Sequence, residues 1–127
     1  MASIFTKIIQ GEIPCHKIAE SENYFAFLDI NPWEDGHTLV IPKREVDYIF
    51  DLEDENYLGL MTFSKEVAVA IEKTIECKRI GLLVEGLEVP HVHVHLIPIV
   101  KSFTSMKKRK YSQEELAGIA EKIRNNF

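Results

Sequence analysis

The sequence predicts an α+β fold: a five-stranded antiparallel sheet with a short N-terminal helix, one long helix and a C-terminal helix. Three observations carry that prediction. Short runs of valine, isoleucine and aromatic residues, bounded by turn residues, read as strands. One stretch, from about 51 to 76, switches to helical spacing, with Tyr57, Leu60, Met61, Ser64, Val67, Ala68, Ile71 and Ile75 along one stripe. The last two strands are joined only by Glu85-Gly86-Leu87-Glu88-Val89-Pro90, too short for a parallel crossover, so they run antiparallel. Helices packed on one face of such a sheet leave the other face for a site.

The elements follow in order. Ser3 is an N-cap and Gly11 a stop for a first helix whose stripe is Ile4, Phe5, Ile8 and Ile9. That stripe reads as core, or as the wall of an apolar pocket for a flat ligand, with Phe5 and Ile8 lining it. Cys15 to Glu20 is a first strand, Ser21-Glu22-Asn23 a turn, and Tyr24 to Ile30 a second, aromatic-rich strand. Asp29 is its odd member: either a turn aspartate before Asn31-Pro32, or an acceptor for both hydroxyls of a ribose diol. Asn31 to Gly36 is a loop, and His37 opens a third strand that ends at Pro42. Asp51 is the expected N-cap of the long helix, with Glu53, Asp54 and Glu55 in the first turn where the helix dipole favours negative charge. Arg79 to Val84 is a fourth strand. After the fifth comes a basic run, Lys107-Lys108-Arg109-Lys110, read as a solvated surface. Ser112-Gln113-Glu114-Glu115 is a capping box opening the last helix, with Leu116, Ile119, Ala120 and Ile123 along its apolar stripe.

Composition narrows the function. The chain has 127 residues, of which 46% are hydrophobic and 28% charged, so one domain, 1–127, buries a core without disulfide or metal staples. A net charge of −5 argues against nucleic-acid binding, which needs a basic face. Cys15 and Cys77 form no Cys-x-x-Cys pair, and neither a signal peptide nor a long apolar span is evident. A cytoplasmic protein with no membrane segment is therefore expected.

The fifth strand holds the chemistry. His91-Val92-His93-Val94-His95-Leu96-Ile97-Pro98 alternates strictly and is bracketed by Pro90 and Pro98. Side chains two apart in a strand share a face at about 6.7 Å, so the three imidazoles form one row. Two chemistries compete for it. One is a metal: a His-x-His pair such as His91 and His93 can chelate zinc, but the outer pair lies about 13 Å apart, so metal explains two of the three. The other is covalent phosphoryl or nucleotidyl transfer, in which one imidazole attacks phosphorus and its neighbours handle protons and oxygen charge. That chemistry uses all three, and His37 is a candidate for the same site.

With these residues in view, the chain resembles the histidine triad (HIT) nucleotide-binding hydrolases, in their Hint-like bacterial branch. The triad run carries the resemblance. Ile4-Phe5-Thr6-Lys7-Ile8-Ile9 with Glu12-Ile13-Pro14, Phe27-Leu28-Asp29-Ile30-Asn31-Pro32, and Gly36-His37-Thr38-Leu39-Val40-Ile41-Pro42-Lys43 support it in the same order. It covers about residues 3–98 and leaves 101–127 as a C-terminal extension. The resemblance implies a hydrolase or transferase acting at the α-phosphate of purine nucleoside phosphoramidates or dinucleoside polyphosphates. By the same match His93 is the nucleophile, His91 orients it, and His95 and His37 contact the phosphate or leaving group. Asp29 binds the ribose, and Phe5, Ile8, Phe27 and Ile30 form the base pocket. No cofactor is implied, and a homodimer with a continuous sheet is. Three departures stand out. Val84 precedes Glu85-Gly86 where many relatives have Asn, and only Leu87 to Pro90 separate that pair from the triad. Ser3, Thr6 and Glu45 occupy positions where some bacterial members hold zinc with two cysteines and a histidine, so no structural zinc is expected. The C-terminal helix has no counterpart in the shortest relatives. The alternatives are a nucleotide-binding regulator with weak catalysis and a metal-dependent hydrolase using His91 and His93.

Overall fold

The structure is a computed structural model describing residues 2–102 and 110–126, with Ile123 described by its backbone alone. Lys107, Lys108 and Arg109 of the basic run, and the place of the Ile123 side chain in the last apolar stripe, lie outside the described residues. The elements are α1 (Ile4–Ile9), β1 (Lys17–Glu20), β2 (Tyr24–Leu28), β3 (Thr38–Pro42), α2 (Asp54–Thr74), β4 (Arg79–Leu83), β5 (Val94–Ile99) and α3 (Gln113–Asn125). The strands form one antiparallel sheet in the order β1-β2-β3-β5-β4. This is the α+β architecture with three helices that the periodicities predict.

The two faces of the sheet are filled differently. On one, the α2 stripe of Leu60, Val67 and Ile71 packs on Ala26, Val40, Val94 and Leu96. Gly59 lets the helix come close: a Cβ there would collide with the Tyr24 hydroxyl, which donates to the Asn56 carbonyl at 3.1 Å. On the other face Phe5 from α1 joins Phe25, Phe27, Leu39 and Ile41. The helices therefore do not all share one face. The apolar stripe of α1 needs a partner, and it takes the aromatic side of β2 and β3.

Local chemistry explains the element ends. Ser3 caps α1 by accepting from the Thr6 N–H at 3.1 Å, and Gly11, at a φ of 82°, takes the left-handed turn that follows. The helix α2 starts later than Asp51 because 49–51 form a 3-10 turn that buries Ile49 and Leu52 in the core; Glu53 is the N-cap. Ser112 and Glu115 close the capping box on α3 reciprocally, at 3.0 and 3.1 Å.

The fifth strand is displaced from its expected bounds. It begins at Val94, so His91 and His93 precede it, and it runs through Pro98, which pairs with Ile80. The ladder to β3 runs only from Val40 opposite Val94 to Thr38 opposite Leu96. Pro98 lies past the start of β3, where no partner awaits an amide proton. At the other end, the Val92 N–H turns to the Val46 carbonyl and the His91 N–H to the Val89 carbonyl, both at 2.8 Å. Alternation persists without a ladder: Val92, Val94 and Leu96 still face α2.

Candidate active site

The three alternating histidines and His37 meet on the face opposite α2. Ring centroids of His93 and His95 are 5.1 Å apart, and those of His37 and His95 5.2 Å. Phe5 stands edge-on to His93 at 5.0 Å, to His91 at 5.8 Å and to Phe27 at 5.7 Å. Ile8 is half-buried beside this aromatic cluster. Asp29, just after β2, has one oxygen 3.6 Å from His37 Nε2, while the other accepts the Asn31 N–H at 2.8 Å. Ile30 lies in the following loop and is 79% exposed.

The hydrogen bonds assign the proton on each ring, because a carbonyl can only accept and a backbone N–H can only donate. His91 is fully buried, with Nε2 2.8 Å from the Pro42 carbonyl and Nδ1 2.7 Å from Ser3 Oγ. Its Nε2 therefore carries the proton, and Nδ1 accepts from the serine. His93 Nδ1 lies 2.7 Å from the main-chain carbonyl of His91, so it is protonated and Nε2 keeps its lone pair. His37 Nδ1 accepts the Trp33 N–H at 3.1 Å, so its proton is on Nε2 and is donated to His95 Nδ1 at 2.9 Å. His95 in turn carries its own proton on Nε2.

Electrostatics agree with neutral rings. Burial pushes the His91 pKa below its ordinary value, opposed by the Pro42 hydrogen bond and Glu45. Burial also lowers His37, with Asp29 opposing, and lowers His95, with His93 and His37 adding to the effect. His37, His91 and His95 are thus neutral near pH 7, the state their hydrogen bonds require.

These bonds also bear on metal binding. Asp29, His37 and His95 bring potential ligand atoms within 4.8 Å of one another. Yet both His37 nitrogens are engaged, one by an amide proton and one by donating its own, so a cation there would have to displace a proton. The pair His91 and His93 fares no better, because both ring nitrogens of His91 are committed inside the protein.

Four further participants are given their part in the site only by the structure. Trp33, 59% exposed in the loop before β3, stacks on His95 at 9° and 6.4 Å, and its amide fixes His37. Pro42 contributes a backbone carbonyl. Ser3, the N-cap of α1, reaches His91, and Glu45, in the segment after β3, holds Ser3 and Thr6. A strand-end proline and an N-cap serine have ordinary local explanations, so only the tertiary arrangement shows their second use.

The HIT domain matches residues 10–102. An uncharacterized HIT-like protein of Methanocaldococcus jannaschii is 42% identical over 106 residues, covering 75% of this chain and 77% of that protein. The adenosine 5'-monophosphoramidase of Schizosaccharomyces pombe is 41% identical over 100 residues, covering 77% and 74%. The crystal structure of a HIT family member from Bacillus subtilis superposes with a TM-score of 0.86 at 33% identity, covering 100% of this chain and 98% of that one. By sequence pattern, identity and fold together, the chain belongs to the HIT family.

Proposed function

We propose that the chain is a nucleotide hydrolase or transferase acting at the α-phosphate of purine nucleoside phosphoramidates or dinucleoside polyphosphates, with His93 as the nucleophile. The observation that carries this reading is the 2.7 Å bond between His93 Nδ1 and the His91 carbonyl. It leaves the Nε2 lone pair for attack and stabilises the positive charge that the ring gains as its Nε2–P bond forms. The bond from phosphorus to the leaving nitrogen or oxygen then breaks, and the leaving group takes a proton. His95, with its proton on Nε2, is the donor for that proton or for a phosphate oxygen, and His37 holds His95 in that tautomer. Water next attacks phosphorus, releasing the nucleoside monophosphate and regenerating His93.

Binding is assigned to neighbouring groups. Asp29 accepts from the ribose hydroxyls, for which its carboxylate has lone pairs beyond those used by Asn31. Phe5, Ile8, Phe27 and Ile30 contact the base. The reading requires no metal or cofactor. The 41% identity to an adenosine 5'-monophosphoramidase supports the phosphoramidate class.

A homodimer completes the reading. The strand β4 is a sheet edge, and Leu82 and Leu83 on it are exposed, as are Leu58 and Val69 on α2. Pairing of two β4 edges would make the sheet continuous across a twofold axis. Sedimentation at micromolar concentration should show twice the chain mass; a 14.6 kDa species would contradict the dimer.

No helix among the described residues is long and apolar enough to cross a membrane, and a cytoplasmic location goes with the reading. The alternative, a nucleotide-binding regulator with weak catalysis, draws on the short connection from Leu87 to Pro90. Turnover of adenosine phosphoramidate, with and without a chelator, separates the readings. Chelator-insensitive release of the monophosphate is expected. Tight nucleotide binding without turnover would favour the regulator, and loss of turnover with chelator a metal enzyme.

A further inference from the structure

The positions Ser3, Thr6 and Glu45 converge on the buried side of His91. Glu45 Oε1 accepts from the Ser3 N–H and, at 2.7 Å, from the Thr6 hydroxyl. That commits the Thr6 proton to the carboxylate. The Ser3 hydroxyl accepts the Thr6 N–H at 3.1 Å and has one proton to give. Its two candidate acceptors are Thr6 Oγ1 at 3.3 Å and His91 Nδ1 at 2.7 Å. The shorter contact, to a ring nitrogen that must be unprotonated, takes the proton. His91 is therefore clamped at both ends of its ring, by Pro42 on one side and Ser3 on the other.

The clamp bears on His93 through the main chain. The carbonyl that holds His93 Nδ1 belongs to His91, and no ladder holds His91 in place, because β5 begins three residues later. The peptide carrying that carbonyl is held on its amide side by the Val92 N–H bond to the Val46 carbonyl, and the imidazole clamp holds it on the side of the His91 side chain. We propose that Ser3 is a positioning residue for the triad: its hydroxyl, set by Thr6 and Glu45, immobilises His91 and thereby aims the His93 ring. This rests on the reading of His93 as nucleophile. It gives the serine a task beyond capping a six-residue helix, and gives Glu45 one beyond an exposed surface charge. The Ser3 N–H first, then the Thr6 hydroxyl, hold the Glu45 carboxyl down at about 2, so the anchor is a carboxylate throughout the neutral range.

The test compares Ser3→Ala and Ser3→Thr with the parent and with His93→Ala, using adenosine phosphoramidate. Ser3→Ala should lower kcat about ten- to a hundredfold, the scale of a slightly misplaced reacting group, with KM and monophosphate affinity held. Ser3→Thr, which keeps the hydroxyl, should recover most of the rate. Long-range proton–nitrogen NMR supplies a readout that a lost helix cap would not move. In Ser3→Ala the His91 Nδ1 resonance should shift to that of a free lone pair, and the His93 Nδ1–H signal should broaden through exchange. An unchanged kcat in Ser3→Ala, or equal losses in the alanine and threonine variants, would overturn the proposal. Full turnover by His93→Ala would instead overturn the reading beneath it.

Discussion

The two faces of the sheet solve opposite problems. Toward α2, Val40, Val94, Leu96, Leu60 and Val67 fill space with aliphatic side chains, and what matters there is volume. Toward the site, imidazoles and phenyl rings meet, and His91 and His37 use both ring nitrogens in hydrogen bonds. The first face is held by contacts that any well-fitting apolar group can make. The second is held by directional bonds that single atoms supply. Substitutions on the α2 face should therefore cost stability and spare the chemistry of the folded fraction, and substitutions on the site face should do the reverse.

The largest stability effect belongs to the dry face. Leu60, on the inner stripe of α2, is fully buried against the sheet, and Leu60→Ala should lower unfolding free energy by about 2–5 kcal/mol in a denaturant titration. Turnover per folded molecule should stay at the parent level, and a matching loss of kcat would blur the division between faces. Gly59→Ala should follow at about 1–3 kcal/mol, the usual cost of overpacking, because the added methyl meets the Tyr24 hydroxyl. A neutral or stabilising result, as helix propensity alone would give, would show that Tyr24 moves aside freely.

On the site face, Asp29→Ala should raise KM about ten- to a hundredfold, the value of hydrogen bonds to a charged acceptor, with kcat held. Thermal stability should barely change. If kcat falls with KM unchanged, Asp29 acts on His37, 3.6 Å away, and not on the ribose.

Acid sharpens the same contrast. Burial depresses the folded-state pKa of His37, His91 and His95, so the unfolded chain binds protons more readily than the folded one. Stability from these rings is complete above their ordinary value of 6.5 and is lost as pH falls below it. Glu45, lowered from 4.5 to about 2, adds a second loss across that lower window. Melting temperature should drop between pH 7 and 5, and a flat profile there would mean the rings are not held neutral.

Sequence periodicity reveals the aliphatic face more completely than the histidine face. Apolar spacing marks Leu60, Val67 and Ile71 and the alternation of Val92, Val94 and Leu96, because volume and period are properties of the residues themselves. The triad is legible for the same reason. Its hydrogen-bond partners are not. Pro42 offers a carbonyl, which every residue has, and Ser3 and Glu45 come from positions 88 and 46 residues before His91. The strand bounds also shift: alternation places His91 and His93 in β5, whereas the ladder starts only at Val94, where β3 has a residue to pair. Pro98 reads as a terminator and lies inside the strand, since the neighbour that would need its amide has not yet begun.

The central claim is that one ring nitrogen, His93 Nε2, bonds to phosphorus. Rapid acid-free quenching of the protein with a purine phosphoramidate labelled at phosphorus tests it directly, followed by peptide mapping. The account predicts protein-bound label that is acid-labile and base-stable, as a phosphoramidate linkage is, located on His93 and absent from His93→Ala, which still binds nucleoside monophosphate. Full turnover by His93→Ala, or label found on another residue, would contradict it.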